Sequence, residues 1–351
     1  FFFQAEDGIR DCLLSRGLGD VYKRQALEAV RVTEIAAIAS SFHMGRGDEK
    51  AADQAAVNAM RDFLNELDVN GKVVIGEGER DKAPMLYIGE IIGKGEVKVD
   101  VALDPLEGTT ITAQGGENAL SVLAIGEEGS FLHAPDIYMK KIAYGYKYED
   151  LEINIDDEPK KIIKEFSKYS KIREENIVVC ILDRPRHQDL INDVRSTGAR
   201  IKLIPDGDVS AVIATSIDES GIDLYMGTGG SPEGVLAAAA LRCLGGKIYT
   251  KLIYNNDESF QRAKKMGVLE KNQIFETNDL AKGDVMFSAT GVTDGTLLKG
   301  VRINNNEAHT QSVVMRSQTN TVRYINAKHN LSLIHISEPT RQEAISYAVF
   351  C

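Results

Sequence analysis

The chain has no tryptophan, only four cysteines and eight prolines in 351 residues, and no apolar run approaching 18 residues. The short apolar stretches, each broken by glycine or charge, exclude a membrane-spanning helix. No Cys-x-x-Cys pair occurs, so neither a disulfide framework nor a zinc signature is present. Cys180 falls in an apolar strand and Cys243 in an apolar helix, which reads as buried reduced thiols and a cytoplasmic protein. Positive charge is also short. A formal charge of −11 excludes a nucleic-acid-binding surface, which needs clustered Lys and Arg to neutralise phosphates. An acidic protein still binds phosphates where metal ions supply the positive charge. Neither an internal repeat nor a low-complexity tract appears.

What is present is a chain with 43% hydrophobic residues, enough for one large α/β domain or two intimate ones. Residues 1–25 and 331–351 show no helical or strand period, and 1–25 lacks the basic, apolar and small-residue order of a secretory signal. Both resemble translated sequencing-library adapter, so two non-native tails outside the fold are expected. Apolar spacing predicts amphipathic helices over 26–44 and 51–67, and a helix over 83–92 with Pro84 in its first turn. Strands are expected at 72–75, 97–103 (alternating), 120–125, 131–133 and 141–146, an α+β texture.

After the charged segment 149–171, strands at 177–182, 201–204 and 222–226 alternate with helices from His187, Asp208 and Pro232, which predicts a parallel sheet. Strands at 285–289 and 312–325 follow a helix around 257–266. The expectation is an α/β protein of two sheets flanked by helices. Its halves divide near residue 150, as 26–150 and 151–330.

The chemistry concentrates at the ends of these strands. In Asp104-Pro105-Leu106-Glu107-Gly108-Thr109-Thr110, a turn after Asp104 would return Glu107 to the same side, giving two oxygen donors for one hard cation. Gly108 permits close backbone approach, and the amides around Gly108–Thr110 can face an anion. A strand-to-loop turn with solvated acids fits the spacing equally well. Glu77 follows the strand 72–75, where α/β sheets gather active-site groups, although an acidic solvated turn is as consistent. Asp53 lies in an alanine-rich helix and, taken alone, reads as a surface residue. Glu233 opens the apolar helix after Gly229-Gly230, a capping feature unless something approaches the glycine backbone.

Arg184-Pro185-Arg186 ends the strand 177–182, and two arginines held apart by a rigid proline suit bidentate phosphate contact, although an exposed basic loop fits equally well. Asp206-Gly207-Asp208 ends the next strand, with acids for sugar hydroxyls or for capping. Tyr138 is either a phosphate donor or half-buried packing.

Taken in order, GRGDEKAADQAAV, VVIGEGERDKAPMLYIGE, DVALDPLEGTTITAQGG, APDIYM, LDRPRH, IPDGDV, GGSPEGVLAAAALR and FSATGVTDGTLLKGV resemble the class II fructose-1,6-bisphosphatases, collinearly from about Ala26 to Asn330. DPLEGT is also similar to the DPxDGT signature of the lithium-sensitive, inositol-monophosphatase-like superfamily, whose fold layers α-β-α-β-α. The resemblance implies that Asp53, Glu77, Asp104, Glu107 and Glu233 hold two or more Mn²⁺ or Mg²⁺ ions. It implies that Thr109, with Asp104 and Glu77, activates the attacking water. It also implies that Glu107, Gly108, Thr109, Tyr138, Arg184, Pro185, Arg186, Asp206, Gly207, Asp208 and Gly230 line the sugar bisphosphate. The chain departs from the family pattern at Lys82, usually an acid, beside the proposed metal ligands.

The expected activity is hydrolysis of fructose 1,6-bisphosphate in gluconeogenesis by a homo-oligomer, dimer or tetramer, with neither nucleic-acid nor membrane partner. Alternatives are a sedoheptulose-1,7-bisphosphatase or inositol-phosphate phosphatase of the same superfamily, and a non-enzymatic sugar-phosphate-binding module.

Overall fold

The computed structural model describes residues 26–78 and 84–334. The tail expectation for 1–25, that for 331–351 from 335 onward, and Lys82 lie outside the described residues; 331–334 are described, and Leu331 is buried there with its amide donating to Asn306 O at 2.9 Å. Two helices open the fold, α1 (26–41) and α2 (Glu49–Leu64), the second capped by Asp48, which accepts the Ala51 amide at 3.0 Å.

The first sheet contains β1 (Asn70–Ile75), β2 (Ile91–Ile92), β3 (Lys98–Glu107), β4 (Leu120–Glu127), β11 (Val285–Gly291), β12 (Arg302–Asn304), β13 (Glu307–Arg316) and β14 (Thr321–Asn330), in the order β12-β13-β11-β4-β3-β1-β2 with β14 also pairing β13. The second contains β5 (Tyr138–Tyr144), β6 (Val178–Leu182), β7 (Arg200–Ile204), β8 (Leu224–Gly230), β9 (Lys247–Leu252) and β10 (Ile274–Glu276), in the order β10-β9-β5-β8-β6-β7. The chain therefore enters the first sheet, builds all of the second, and returns to complete the first. Short helices α3 (Thr109–Gln114), α4 (Pro159–Ser170), α5 (Gln188–Ser196) and α6 (Asp208–Ala214) connect the middle strands.

Helix α7 (Ser231–Leu244) touches β3, β4, β11 and β13 of one sheet and β5, β8 and β9 of the other. Its run Val235–Leu241 is buried on every side, as the all-round apolar sequence requires. Small alanines let both sheets approach, and the helix start carries Glu233 to the edge where β1 and β3 end. Helices α8 (Asp257–Lys265) and α9 (Thr277–Leu280) complete the chain between β9 and β11.

Two sheets with helices on an α/β plan match the sequence expectation, and five local readings change. The second sheet is mixed rather than parallel: β6 runs parallel to β7 and β8, whereas β5 pairs β8 and β9 antiparallel. The 97–103 strand does not alternate, because β3 lies between β1 and β4 and is buried on both faces. Residues 131–133 make only an isolated bridge, Phe131 with Ala281. The single strand expected over 312–325 is a hairpin, turning at Ser317–Asn320 between β13 and β14.

In place of a helix over 83–92, the described residues from Pro84 run as bends and turns into β2. Leu86 and Gly89 have positive φ, and the segment lies along β1, its Gly89 amide bonding Val73 O at 2.7 Å and Val73 N bonding Glu90 O at 2.9 Å. The free edge of β1 satisfies these backbone groups, so the segment need not satisfy itself as a helix. Burial also keeps the thiols inert: Cys180 and Cys243 are free, buried, and each pushed up to about 12.

Candidate active site

Strands β1 and β3 run parallel and side by side, with Ile75 opposite Ala102, so Glu77 and Asp104 emerge at the same sheet edge. Asp104–Glu107 is not a turn. It continues β3, and against β4 the three steps from Asp104 to Glu107 face the two steps from Val122 to Leu120. This is a β-bulge, a position that also tolerates Pro105. The extra residue restores parity, so Asp104 and Glu107 share a face despite their odd spacing. The expected turn is therefore a bulged strand.

Asp53 from α2, Glu77, Asp104, Thr109 at the start of α3, Asp136 and Glu233 line one cleft of about 240 Å³. Gly108 precedes α3 at φ +91°, a left-handed value that favours glycine. Glu107 points out of this cleft toward the start of α6, where its Oε1 accepts the Val209 amide at 3.2 Å beside Asp206 and Asp208. Gly207 there has φ +85°.

The glycine pair before α7 leaves room for carboxylates. A Cβ on Gly229 would stand 2.0 Å from Asp208 Oδ2, and one on Gly230 would stand 2.0 Å from Glu233 Oε2. Any larger residue at either position would displace an acid.

The electrostatics are those of crowded acids with little counter-charge, Lys141 acting on Glu233. Glu77 is pushed up to about 7 by burial and by Asp53 nearby. Burial, then Glu77 and Glu233, raise Asp104 well above the usual carboxylate range, and burial with Asp208 does the same to Glu107. Asp53 and Glu233 are raised as well, both chiefly by burial. Glu107 Oε2 and Glu233 Oε2 are buried without a hydrogen-bond partner.

Among the described residues no three of these side chains converge on one point as a finished ligand set. The acids are instead distributed around the cleft and its Glu107 side. The donor set is nevertheless all oxygen, and two of its buried atoms are orphaned, which suits a hard divalent cation.

The phosphate candidates adjoin the acids through β8. Arg186 donates from Nε and Nη2 to Thr228 O at 3.1 and 2.7 Å, and its guanidinium lies 4.7 Å from the centre of the Tyr138 ring. Tyr138 pairs with Gly230, linking the arginine to the Glu233 side. Arg184 stands 3.8 Å from Asp206, and Pro185 opens the short 3₁₀ turn between the two arginines.

Sequence reasoning assigned no role to His187 or Lys141. His187 is buried: Nδ1 donates to Leu182 O and Nε2 accepts the Thr228 amide, both at 2.8 Å, which fixes the neutral tautomer and ties the arginine loop to β8. Lys141 is buried against Asp208, with Nζ to Oδ2 at 2.6 Å. A signal for it existed. Lys140 and Lys141 are consecutive in a strand and point to opposite faces, so whichever face is core, one lysine enters it.

Comparisons with known proteins identify the family. The family model for bacterial fructose-1,6-bisphosphatase, glpX-encoded, matches residues 23–329. A Synechococcus sp. (strain JA-2-3B'a(2-13)) protein named D-fructose 1,6-bisphosphatase class 2/sedoheptulose 1,7-bisphosphatase is 42% identical over 329 residues, covering 86% of this chain and 94% of that protein. A Gloeobacter violaceus protein of the same name is 41% identical over 339 residues, covering 89% and 98%. With this extent of matching, and with the acidic cleft, bulge and arginine loop in place, the chain belongs to the family of glpX-encoded bacterial fructose-1,6-bisphosphatases.

Proposed function

We infer that the chain hydrolyses the 1-phosphate of D-fructose 1,6-bisphosphate, releasing fructose 6-phosphate and phosphate. One observation carries this reading: buried, mutually repelling carboxylates at the ends of β1 and β3 and the start of α7 lie beside an arginine loop anchored on β8. Asp53, Glu77, Asp104, Glu107 and Glu233 would hold Mn²⁺ or Mg²⁺, two or more ions. Such a cation supplies Lewis acidity and offsets phosphoryl charge.

The chain's own groups do the rest. The Thr109 hydroxyl, at the start of α3, orients the attacking water, and Glu77 with Asp104 takes its proton. Arg184 and Arg186 hold the distal phosphate across Pro185, which positions the reacting phosphate. Tyr138 and Gly230 flank it, and Asp206 and Asp208 around Gly207 accept from the sugar hydroxyls. Amides from Gly108 face the reacting phosphate beside Glu107.

On this reading residues 26–150 carry most of the metal groups and 151–330 most of the sugar groups, in an α-β-α-β-α layering. On the same reading the protein works in the cytoplasm as a homo-oligomer. Among the described residues no helix is long and apolar enough to cross a membrane. Sedoheptulose 1,7-bisphosphate is a second substrate to test, because the curated relatives carry both activities in their names.

The experiment is phosphate release from fructose 1,6-bisphosphate, sedoheptulose 1,7-bisphosphate, an inositol monophosphate and an aryl phosphate, with Mn²⁺ and after chelation. A bisphosphate preference that chelator abolishes and Mn²⁺ or Mg²⁺ restores is the expected result. Full activity after exhaustive chelation would overturn the mechanism.

A further inference from the structure

Lys141 is the one buried lysine or arginine among the described residues, at 0% exposure in the middle of β5. Its Nζ lies 2.6 Å from Asp208 Oδ2, and the Tyr225 hydroxyl reaches the same oxygen at 3.4 Å. Bare glycine backbone walls the pair. A Cβ on Gly229 would stand 2.0 Å from Asp208 Oδ2 and 3.2 Å from Lys141 Nζ, and one on Gly234 would stand 3.3 Å from Lys141 Cε. Both side chains are buried, and the missing glycine side chains leave the space they occupy.

Asp208 is also the acid that presses hardest on both Glu107 and Glu233. Unpaired, it would be a sixth carboxylate in the same acidic cluster. Paired, its charge is offset by Lys141, which also acts on Glu233, and its second oxygen remains an acceptor.

We propose that Lys141 is a positioning residue: it fixes the Asp208 carboxylate for the sugar hydroxyls and keeps this acid out of the set, Asp53, Glu77, Asp104, Glu107 and Glu233, that takes the cation. This rests on the function inferred above. It divides one cluster of like charges into a cation-binding part and a hydroxyl-binding part by placing a single fixed ammonium.

The test measures Mn²⁺ binding without substrate, from the free-ion EPR signal, in the parent chain, Lys141→Met and the double variant Lys141→Met/Asp208→Asn. Michaelis constants for fructose 1,6-bisphosphate and an aryl phosphate are measured alongside. Lys141→Met should bind Mn²⁺ about tenfold more tightly, because Asp208 is released as a further donor and a nearby positive charge is gone.

The double variant leaves no unpaired buried charge and so keeps the test available if Lys141→Met does not fold. It should restore the parent Mn²⁺ affinity and keep a Michaelis constant for the sugar bisphosphate raised about tenfold, with the aryl phosphate changed less than about threefold. Unchanged or weaker Mn²⁺ binding in Lys141→Met would overturn the proposal, as would lost affinity or equal effects on both substrates in the double variant. A parent chain that binds no Mn²⁺ overturns the cation reading itself, a result separable from either.

Discussion

Glu34 and Glu107 are both buried carboxylates at 4% exposure, and their surroundings differ completely. Glu34, on α1, accepts from Thr310 at 3.1 Å and Ser312 at 3.4 Å, with His329 Nε2 at 3.8 Å. Those hydroxyls continue through Thr290 and Thr33 to Ser288, a polar seam that fastens α1 to β11, β13 and β14. Glu107 takes one long amide bond, leaves Oε2 unpartnered and faces Asp208, Asp104 and Asp206.

Equal burial with unequal satisfaction separates structure from function here. A buried acid surrounded by donors closes a packing problem, whereas one surrounded by acids calls for a positive charge that the chain does not supply.

The largest expected effect breaks the comparison directly. Asp104→Asn should lower turnover by on the order of 10³ or more, since a cation ligand carries several kcal/mol of transition-state stabilisation. Glu34→Gln should leave turnover within about twofold and cost about 1 kcal/mol of stability. Rates and melting curves on the two variants check both, and similar kinetics for the pair would erase the distinction.

The next effect is on stability. Glu77, lifted to about 7, keeps its proton in the folded chain after the unfolded chain has lost it near 4.5. The folded state therefore binds more protons, and stability falls as pH rises from about 4.5 to 7, with the full penalty standing above 7. That displacement corresponds to about 3 kcal/mol for this group. In chelator, the melting midpoint should be higher at pH 5.5 than at pH 8, Glu77→Gln should flatten the slope, and Mn²⁺ should raise the pH 8 value. A midpoint that climbs from pH 5.5 to 8 would contradict the picture of uncompensated acids.

Thr109→Ala should reduce turnover about 10²-fold with folding intact, the usual contribution of a positioned proton-handling group. Parent-like turnover would mean the water is oriented elsewhere. Smaller still, Arg186→Ala should weaken binding of fructose 1,6-bisphosphate by about 2 kcal/mol while sparing an aryl phosphate with no second phosphate. Equal losses on both substrates would move Arg186 to the reacting phosphate.

Much of the site is legible in the order of residues along the chain. Glu77, Asp104, Arg184 and Asp206 each follow an apolar run, and strand ends are where such sheets present reactive groups. Thr109 stands out because it follows the acidic segment directly. Glu233 is visible as the acid that starts the helix after a glycine pair, although the reason for the pair is hidden. The glycines make room for the Glu233 and Asp208 carboxylates, and the second of these comes from 21 residues or more upstream. Lys141 and His187 escape because a lysine in a strand and a histidine before a helix look ordinary until β5 proves central and β8 lies alongside.

The sequence by itself determined the local chemistry: all-oxygen donors, arginines held apart by proline, glycines at helix starts, and enough periodic apolar residues for two sheets. Hydrophobic period and turn residues are properties of neighbours in the chain, and they survive without tertiary information. Tertiary structure alone decided which buried charges meet. Strand order placed β1 beside β3, a bulge set Asp104 and Glu107 on one face, and the β5–β8 pairing brought Tyr138 beneath Arg186 and Lys141 onto Asp208. The segment before β2 followed the same logic, giving up a helix because a free strand edge satisfied its backbone. Electrostatic energy depends on distance through space, and no local pattern in the chain encodes the partner of a charge brought from another sheet strand.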